Sequence, residues 1–332
     1  MIKRAVLSLL LLGIAGAAVA LWQYRSFVDT PLQISGKEHI FVLKKGWSAR
    51  RVGRELAADG LLSPDWGFDL YARVSGKSGS LQAGEYRLTP GLTPPQLLAL
   101  FVSGDVTQYR FAIIEGWTVR RLREALAQVE TLDQTLADVS DTELMERLGK
   151  PNVHPEGQFL PDTYRYTRGM TDFDVLQIAH RALHQTLDDQ WDKRPPNIEL
   201  NSAYEVLTLA SIIEKETGVA AERPQISGVF NRRLRIGMRL QTDPTVIYGM
   251  GDAYEGNIRR RDLTTDTPYN TYTRHGLPPS PIALAGRDAI HAALHPQKGE
   301  ALYFVARGDG SHQFSATLEQ HNAAVRKYQL KQ

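Results

Sequence analysis

The chain has 332 residues, enough for roughly two or three domains and at least one sizeable core. Its 39 basic and 37 acidic residues nearly cancel, which argues against a nucleic-acid partner. It has no cysteine, which excludes disulfides, thiolate nucleophiles and cysteine-ligated metals.

Lys3 and Arg4 precede an uncharged run from Ala5 to Trp22, followed by Gln23, Tyr24 and Arg25. At ~1.5 Å per residue the run approaches the ~30 Å thickness of a bilayer's hydrocarbon core. Trp22 and Tyr24 stand where an interfacial aromatic belt belongs, and Lys3 and Arg4 place the N-terminus inside. The reading is residues 1–4 cytoplasmic and 5–24 a transmembrane anchor. A cleaved signal peptide also fits, with Ala18-Val19-Ala20 as its cleavage site; the span length and flanking aromatics favour the retained anchor. In either case the bulk of the chain is exported. Residues 25–37 read as a polar linker.

His39 to Leu43 is a short strand rich in β-formers. Gly46-Trp47-Ser48 then opens a helix to Ala58, and Ser63 opens a second from Pro64 to Val74. Gly84 to Leu88 returns as a strand, and Thr93-Pro94-Pro95 begins a helix ending at Ser103-Gly104. The turn Gly46-Trp47-Ser48-Ala49-Arg50-Arg51-Val52 recurs as Gly116-Trp117-Thr118-Val119-Arg120-Arg121-Leu122, each time after a strand-like segment. The shared Trp and Arg pair predict one supersecondary unit used twice, although turn chemistry alone favours Gly and a hydroxyl at such places. Strand–helix–helix–strand over residues 38–88 resembles a LysM-like module, a fold whose members bind N-acetylglucosamine polymers; residues 38–105 are taken as that domain.

Thr131 to Lys150 reads as a polar helix, and Asn152 to Tyr166 as irregular. Thr171 to Trp191 is a longer amphipathic helix, and Lys193 to Asn197 breaks the chain. Asn201 to Gly218 follows, with Ser202 and Glu205 at capping-box spacing and Gly218 as the stop. Val206, Leu209, Ala210 and Ile213 form its apolar face, widened by Leu207 and Ile212, with Thr208 and Lys215 opposite. Glu214 and Glu216 flank that face. A carboxylate beside apolar side chains loses solvation and its pKa rises, which suits a proton donor. Spacing alone does not choose between the two acids, and both also fit an exposed or salt-bridged boundary role.

Ala220 to Leu234 continues helically, with Ile226, Val229 and Phe230 on one side. Loops rich in polar and aromatic residues follow at 241–248 and 269–281; with 156–164 they make three such loops beside one acid-bearing helix. That composition suits a sugar site, with forks for hydroxyls and rings for pyranose faces. Leu302 to Ala306 and His312 to Phe314 form a hairpin about Gly308-Asp309-Gly310, and a helix from Thr317 to Tyr328 closes the chain. His291 and His295 stand four apart, but Ala292 occupies the position where a zincin carries Glu, so no metal site is read there. No Gly-x-Ser-x-Gly elbow is present, and a Ser-His-Asp triad is unsupported.

Four stretches belong together: Ala210 to Thr217, Arg239 to Tyr248, Tyr269 to Tyr272, and Gly276 to Pro279. They closely resemble the endolytic murein transglycosylases, the YceG-like family, and the likeness covers nearly the whole chain. Ser280 departs from that pattern, which usually has Gly there. The resemblance implies an α+β fold: an N-terminal transmembrane helix, a small LysM-like α/β module, and a larger mixed α+β catalytic domain over 106–332. It implies a single-pass inner-membrane protein with a periplasmic bulk, cutting the glycan strands of nascent peptidoglycan, with membrane-bound peptidoglycan synthases as partners. It places the catalytic acid on Glu214 and implies no cofactor and no metal. Glu214, held protonated by its apolar flank, would protonate the bond between N-acetylmuramic acid and N-acetylglucosamine. The sugar's own C6 hydroxyl would then close a 1,6-anhydro ring. Gln241, Asp243, Tyr248, Asn270 and Tyr272, together with Glu156 and Tyr164, are candidates for binding the sugar. Two other readings stay open: a hydrolytic muramidase with Asp243 or Glu156 as second carboxylate, and a non-catalytic glycan-binding scaffold.

Overall fold

A computed structural model describes residues 2–196 and 198–330. Met1, Asn197 at the end of the proline-rich break, Lys331 and Gln332 lie outside the described residues, as do the side chains of Lys3 and Arg4. The fold is mixed α+β in two compact units: Met1–Tyr109 with Arg165–Met170, and Arg110–Tyr164 with Thr171–Gln332.

The first unit begins with α1 (Ile2–Asp29), whose stretch Leu10–Asp29 is long and apolar enough to cross a membrane. The helix does not end at Tyr24. It runs on so that Phe27 is buried in the unit's core, and Leu32 after it is buried as well. The Leu32 amide donates to Leu92 O at 2.7 Å and the Gln33 amide to Leu61 O at 2.8 Å. The segment read as a polar linker is docked through its apolar residues, a signal that its polar average hid. Next come β1 (His39–Leu43), α2 (Ala49–Ala58), α3 (Asp65–Val74), β2 (Gly84–Leu88) and α4 (Pro94–Ser103). β1 and β2 pair antiparallel, His39 opposite Leu88 and Leu43 opposite Gly84. Phe41 and Leu43 alternate inward, as the period of a half-buried strand requires. Phe101 of α4 gathers the rings of Phe41, Tyr86 and Phe68 at 5.6, 4.7 and 6.0 Å between centroids.

β3 (Gln108–Ala112), α5 (Val119–Ala127), α6 (Asp141–Arg147) and β4 (Thr163–Thr167) repeat the order strand–helix–helix–strand, and β3 pairs with β4. The echoed turns share their local structure. Gly46 and Gly116 take φ of 85° and 77°, a region open to glycine. Ser48 and Thr118 cap the following helix, each accepting from the third amide on at 3.3 Å. Arg51 lies 5.2 Å over the ring of Trp47, and Arg121 5.7 Å over that of Trp117. The predicted helix over 131–150 is confined to α6. Upstream, the Asp172 carboxylate accepts the amides of Thr135 (2.9 Å) and Leu136 (3.1 Å) and so holds a turn in place of a helix.

The second unit adds α7 (Asp172–Trp191), α8 (Ala203–Glu216), α9 (Arg223–Arg235), α10 (Asp243–Met250), α11 (Arg260–Thr264) and α12 (Arg287–Leu294). The hairpin β5 (Tyr303–Ala306) and β6 (His312–Ser315) and helix α13 (Leu318–Val325) complete it. α8 is its axis, packed against α7, α9, α10 and α12. Every residue from Val206 to Ile213 is buried. Thr208, expected at the surface, is among them and turns its hydroxyl back to Tyr204 O at 2.9 Å. A helix enclosed on all sides has no solvent face for a polar residue to mark. At its start Ser202 accepts from the Glu205 amide at 3.2 Å, while the Glu205 carboxylate reaches past the cap to the Asn201 amide at 2.7 Å. It ends because Thr217 is extended, not because Gly218 turns left-handed. The expected loop at 241–248 is mostly α10, started by Pro244 in its first turn.

Candidate active site

Positions 214 and 216 lie about 200° apart around a helix, so the two acids at the end of α8 meet different surroundings. The Glu214 side chain is 5% exposed. One of its oxygens accepts from the Arg223 guanidinium at 3.2 Å and the other from the Gly286 amide at 2.9 Å. Arg223 is shared, with Glu115 at 3.5 Å and Asp288 at 3.7 Å. Burial, and then the charge of Glu214, pushes the Glu115 carboxyl above its ordinary value.

Glu216 opens on a cleft of about 500 Å³ that Gln241, Thr242, Asp243 and Tyr272 also line. Burial pushes its carboxyl up to about 7, although the Thr242 hydroxyl donates to it and opposes the rise. Beside it the Tyr272 hydroxyl donates to Asp243 at 2.5 Å; burial first and that bond second push the phenol up. Gln241 holds a left-handed φ of 50°, costly for a residue with a side chain. The Gln241 amide donates to Thr271 O at 3.2 Å and the Thr242 amide to the Thr271 hydroxyl at 3.1 Å, which fixes this bend. Arg233 forms the floor, donating to Leu302 O at 2.7 Å and Leu240 O at 2.5 Å, with Tyr303 5.4 Å beneath its guanidinium. On the rim, His312 meets Glu222 twice, amide at 2.8 Å and ring at 2.7 Å. Burial alone would raise Glu222, but these bonds outweigh it and hold the carboxyl below its usual range.

The remaining candidates sit elsewhere. Glu156 and Tyr248 line a separate cleft of about 640 Å³. Glu156 is buried and accepts the Val119 amide at 3.0 Å; burial pushes it up to about 7. Asn270 is spent on the backbone: its amide group donates to the carbonyls of Asp262, Leu263 and Thr265, and its oxygen accepts the Tyr272 amide at 2.9 Å. Tyr164 is buried, its hydroxyl on Leu160 O at 2.7 Å. Ser280 fits without strain, 1% exposed and 2.7 Å from the Tyr269 hydroxyl. The His291 and His295 rings stack at 4.1 Å, with no third ligand grouped beside them among the described residues.

Gln241, Asp243 and Tyr272 are therefore brought together, and the acid they accompany is Glu216. Thr242, Arg233 and the His312–Glu222 pair were not singled out from the sequence. Thr242 lay inside a quoted stretch and its hydroxyl was the available signal. His312 and Glu222 are 90 residues apart, and no local pattern joins them.

The chain matches the YceG-like family over residues 41–327. It is 33% identical over 305 residues to the endolytic murein transglycosylase of Bacillus subtilis, covering 86% of this chain and 83% of that protein. It is 25% identical over 364 residues to that of Streptococcus pneumoniae, covering 98% of this chain and 65% of the relative. Its fold is similar to the 2.6 Å crystal structure of a YceG-like protein from Listeria monocytogenes, at TM-score 0.53 and 29% identity, over 87% of this chain and 99% of that one.

Proposed function

The chain belongs to the YceG-like family, and from that premise we propose that it is a peptidoglycan lytic transglycosylase, held at the cell inner membrane by α1, that cuts nascent glycan strands and so ends their elongation. The observation that supports a working acid is Glu216: a carboxyl raised to about 7, on a cleft with Gln241, Asp243 and Tyr272. An acid with that pKa carries its proton in a large fraction of molecules near neutrality.

In this reading Glu216 gives its proton to the glycosidic oxygen as the bond from C1 of N-acetylmuramic acid breaks. The same sugar's O6 then bonds to C1, and the O6 proton passes to the Glu216 carboxylate. The proton count closes, no water enters, and the product carries a 1,6-anhydro end. Because the substrate brings its own nucleophile, the second carboxylate of an ordinary glycosidase is not required. Glu214, to which the family resemblance points, is the competing acid. Its two acceptor bonds support a different role, tying α8 to α9 and to the turn at Gly286. The strand–helix–helix–strand of the first unit is the proposed LysM-like glycan contact, and membrane-bound synthases are the proposed partners.

The deciding experiment incubates the detergent-solubilised full chain with peptidoglycan and reads muropeptide masses, alongside Glu216→Gln and Glu214→Gln. The expectation is anhydro ends from the wild type, a loss of about 10²-fold or more in Glu216→Gln, and residual activity in Glu214→Gln. The reverse order of loss moves the proton to Glu214. Reducing ends instead of anhydro ends assign a hydrolase, with Asp243 of the same cleft as the nearer candidate for second carboxylate. Binding without cleavage leaves the scaffold.

A further inference from the structure

Helix α3 carries an apolar stripe that none of the described residues covers. Trp66, Leu70 and Val74 stand at i, i+4 and i+8 and are 51%, 39% and 66% exposed. Stepping about 100° per residue, the three span an arc of about 80°. Gly67 and Tyr71, which face α1, adjoin that arc. A Cβ on Gly67 would come within 2.6 Å of the Phe27 ring, and the Tyr71 and Tyr24 rings lie 6.5 Å apart. The stripe therefore flanks the contact with the helix that is apolar enough to cross a membrane, level with Tyr24 and about one turn beyond the exposed Leu21 and Trp22.

We infer that this face of α3 lies in the interfacial layer of the lipid bilayer, as a second, in-plane contact beside the spanning helix. Three features favour lipid over protein as the occupant. The stripe lies on the helix that packs against α1, close to the exposed Leu21 and Trp22 of the apolar run. It holds a Trp, whose ring suits the headgroup level. Its border carries two exposed cations, Lys77 beyond Val74 and Arg25 on α1, while Arg73 beside Trp66 is paired with Asp69 at 3.1 Å. Such a border suits anionic headgroups, with the long side chains reaching up from an apolar bed. The inference rests on α1 spanning the membrane.

Because the chain has no cysteine, a single introduced one carries the only spin label. The full chain is reconstituted in vesicles of phosphatidylethanolamine and phosphatidylglycerol, labelled separately at Leu70→Cys, Arg54→Cys and Ile14→Cys. Collision with oxygen, enriched in lipid, is compared with collision with a water-soluble nickel chelate. The label at position 14 tests the anchor and the one at 54, on an exposed site of α2, reports water. Expected is a label at 70 shifted toward oxygen relative to that at 54, though less than that at 14. A label at 70 as open to nickel as that at 54 overturns the inference. So does one shielded from both reagents, which would mean a protein partner on the stripe. A water-exposed label at 14 removes the anchor and the inference with it. Val74→Glu with the label at 70 supplies a second check: added charge should move that label toward nickel.

Discussion

Two carboxyls in the second unit, Glu156 and Glu216, are pushed by burial from 4.5 to about 7, and they sit in different clefts. A carboxyl whose folded pKa is raised favours the fold while it is protonated. Its contribution is full below 4.5 and is lost as pH rises to 7. Each should cost roughly 3 kcal/mol across that window. In urea unfolding the stability change from pH 5 to pH 8 should be less unfavourable in Glu156→Gln than in the wild type by about 2–3 kcal/mol, the lowered histidines contributing equally to both. On the proposed role of Glu216 as acid, the same titration would set the alkaline limb of the rate profile. The Thr242 hydroxyl lowers the pKa of Glu216 and the Asp243 charge raises it. Thr242→Val should therefore move the limb to higher pH and Asp243→Asn to lower pH, read as anhydro-end formation against pH; shifts in the same direction would remove Glu216 as the acid.

Single helices and turns carry the next set of consequences. Ser211 is fully buried in α8, donates to Thr208 O at 2.7 Å and accepts the Ile282 amide at 3.0 Å, so one hydroxyl pins the 276–285 segment to the central helix. Ser211→Ala leaves that amide without its partner and should cost about 1–3 kcal/mol in thermal or urea unfolding. The caps of the echoed turns are exposed and local, and Ser48→Ala and Thr118→Ala should each cost only about 1 kcal/mol. Elements of this kind were legible in the sequence, because Gly-Trp-hydroxyl turns and the Ser202 cap of α8 write their geometry into adjacent residues. The fate of 131–140 was not, since it depends on Asp172, far along the chain. α10 was hidden for a related reason: its start is a Thr–Asp–Pro turn, and only the bend at Gln241, held by Thr271, shows that a helix follows.

For the molecule as a whole, the sequence showed an apolar N-terminal run and one acid-bearing helix read as amphipathic, which the structure buries from Val206 to Ile213. Placing the acid on Glu216 and not on Glu214 is a proposal that leans on three dimensions. Glu214 and Glu216 have similar neighbours in sequence, and only the arrival of Arg223 on one and of Thr242 on the other separates them. The boundary between anchor and body was likewise not local, because Phe27 reads as part of a tether until Gly67 is seen to receive it. Phe27→Ala should destabilise the first unit by about 3–5 kcal/mol, measured by its protease resistance in urea. Truncation beyond Leu32 should have a larger effect than truncation at Arg25, which keeps both buried residues.

That docking of α1 has a mechanical consequence. A flexible tether would let the attached body sweep a hemisphere whose radius grows with the square root of linker length. With α1 in the membrane as proposed, the helix enters the first unit's core with no slack between them, so that unit's excursions would follow the tilt of one rod. Its orientational entropy is largely surrendered in advance, and meeting a polymer laid parallel to the membrane becomes a search in a thin layer. A Gly/Ser insert between Asp29 and Leu32 would restore the hemisphere and dilute the encounter.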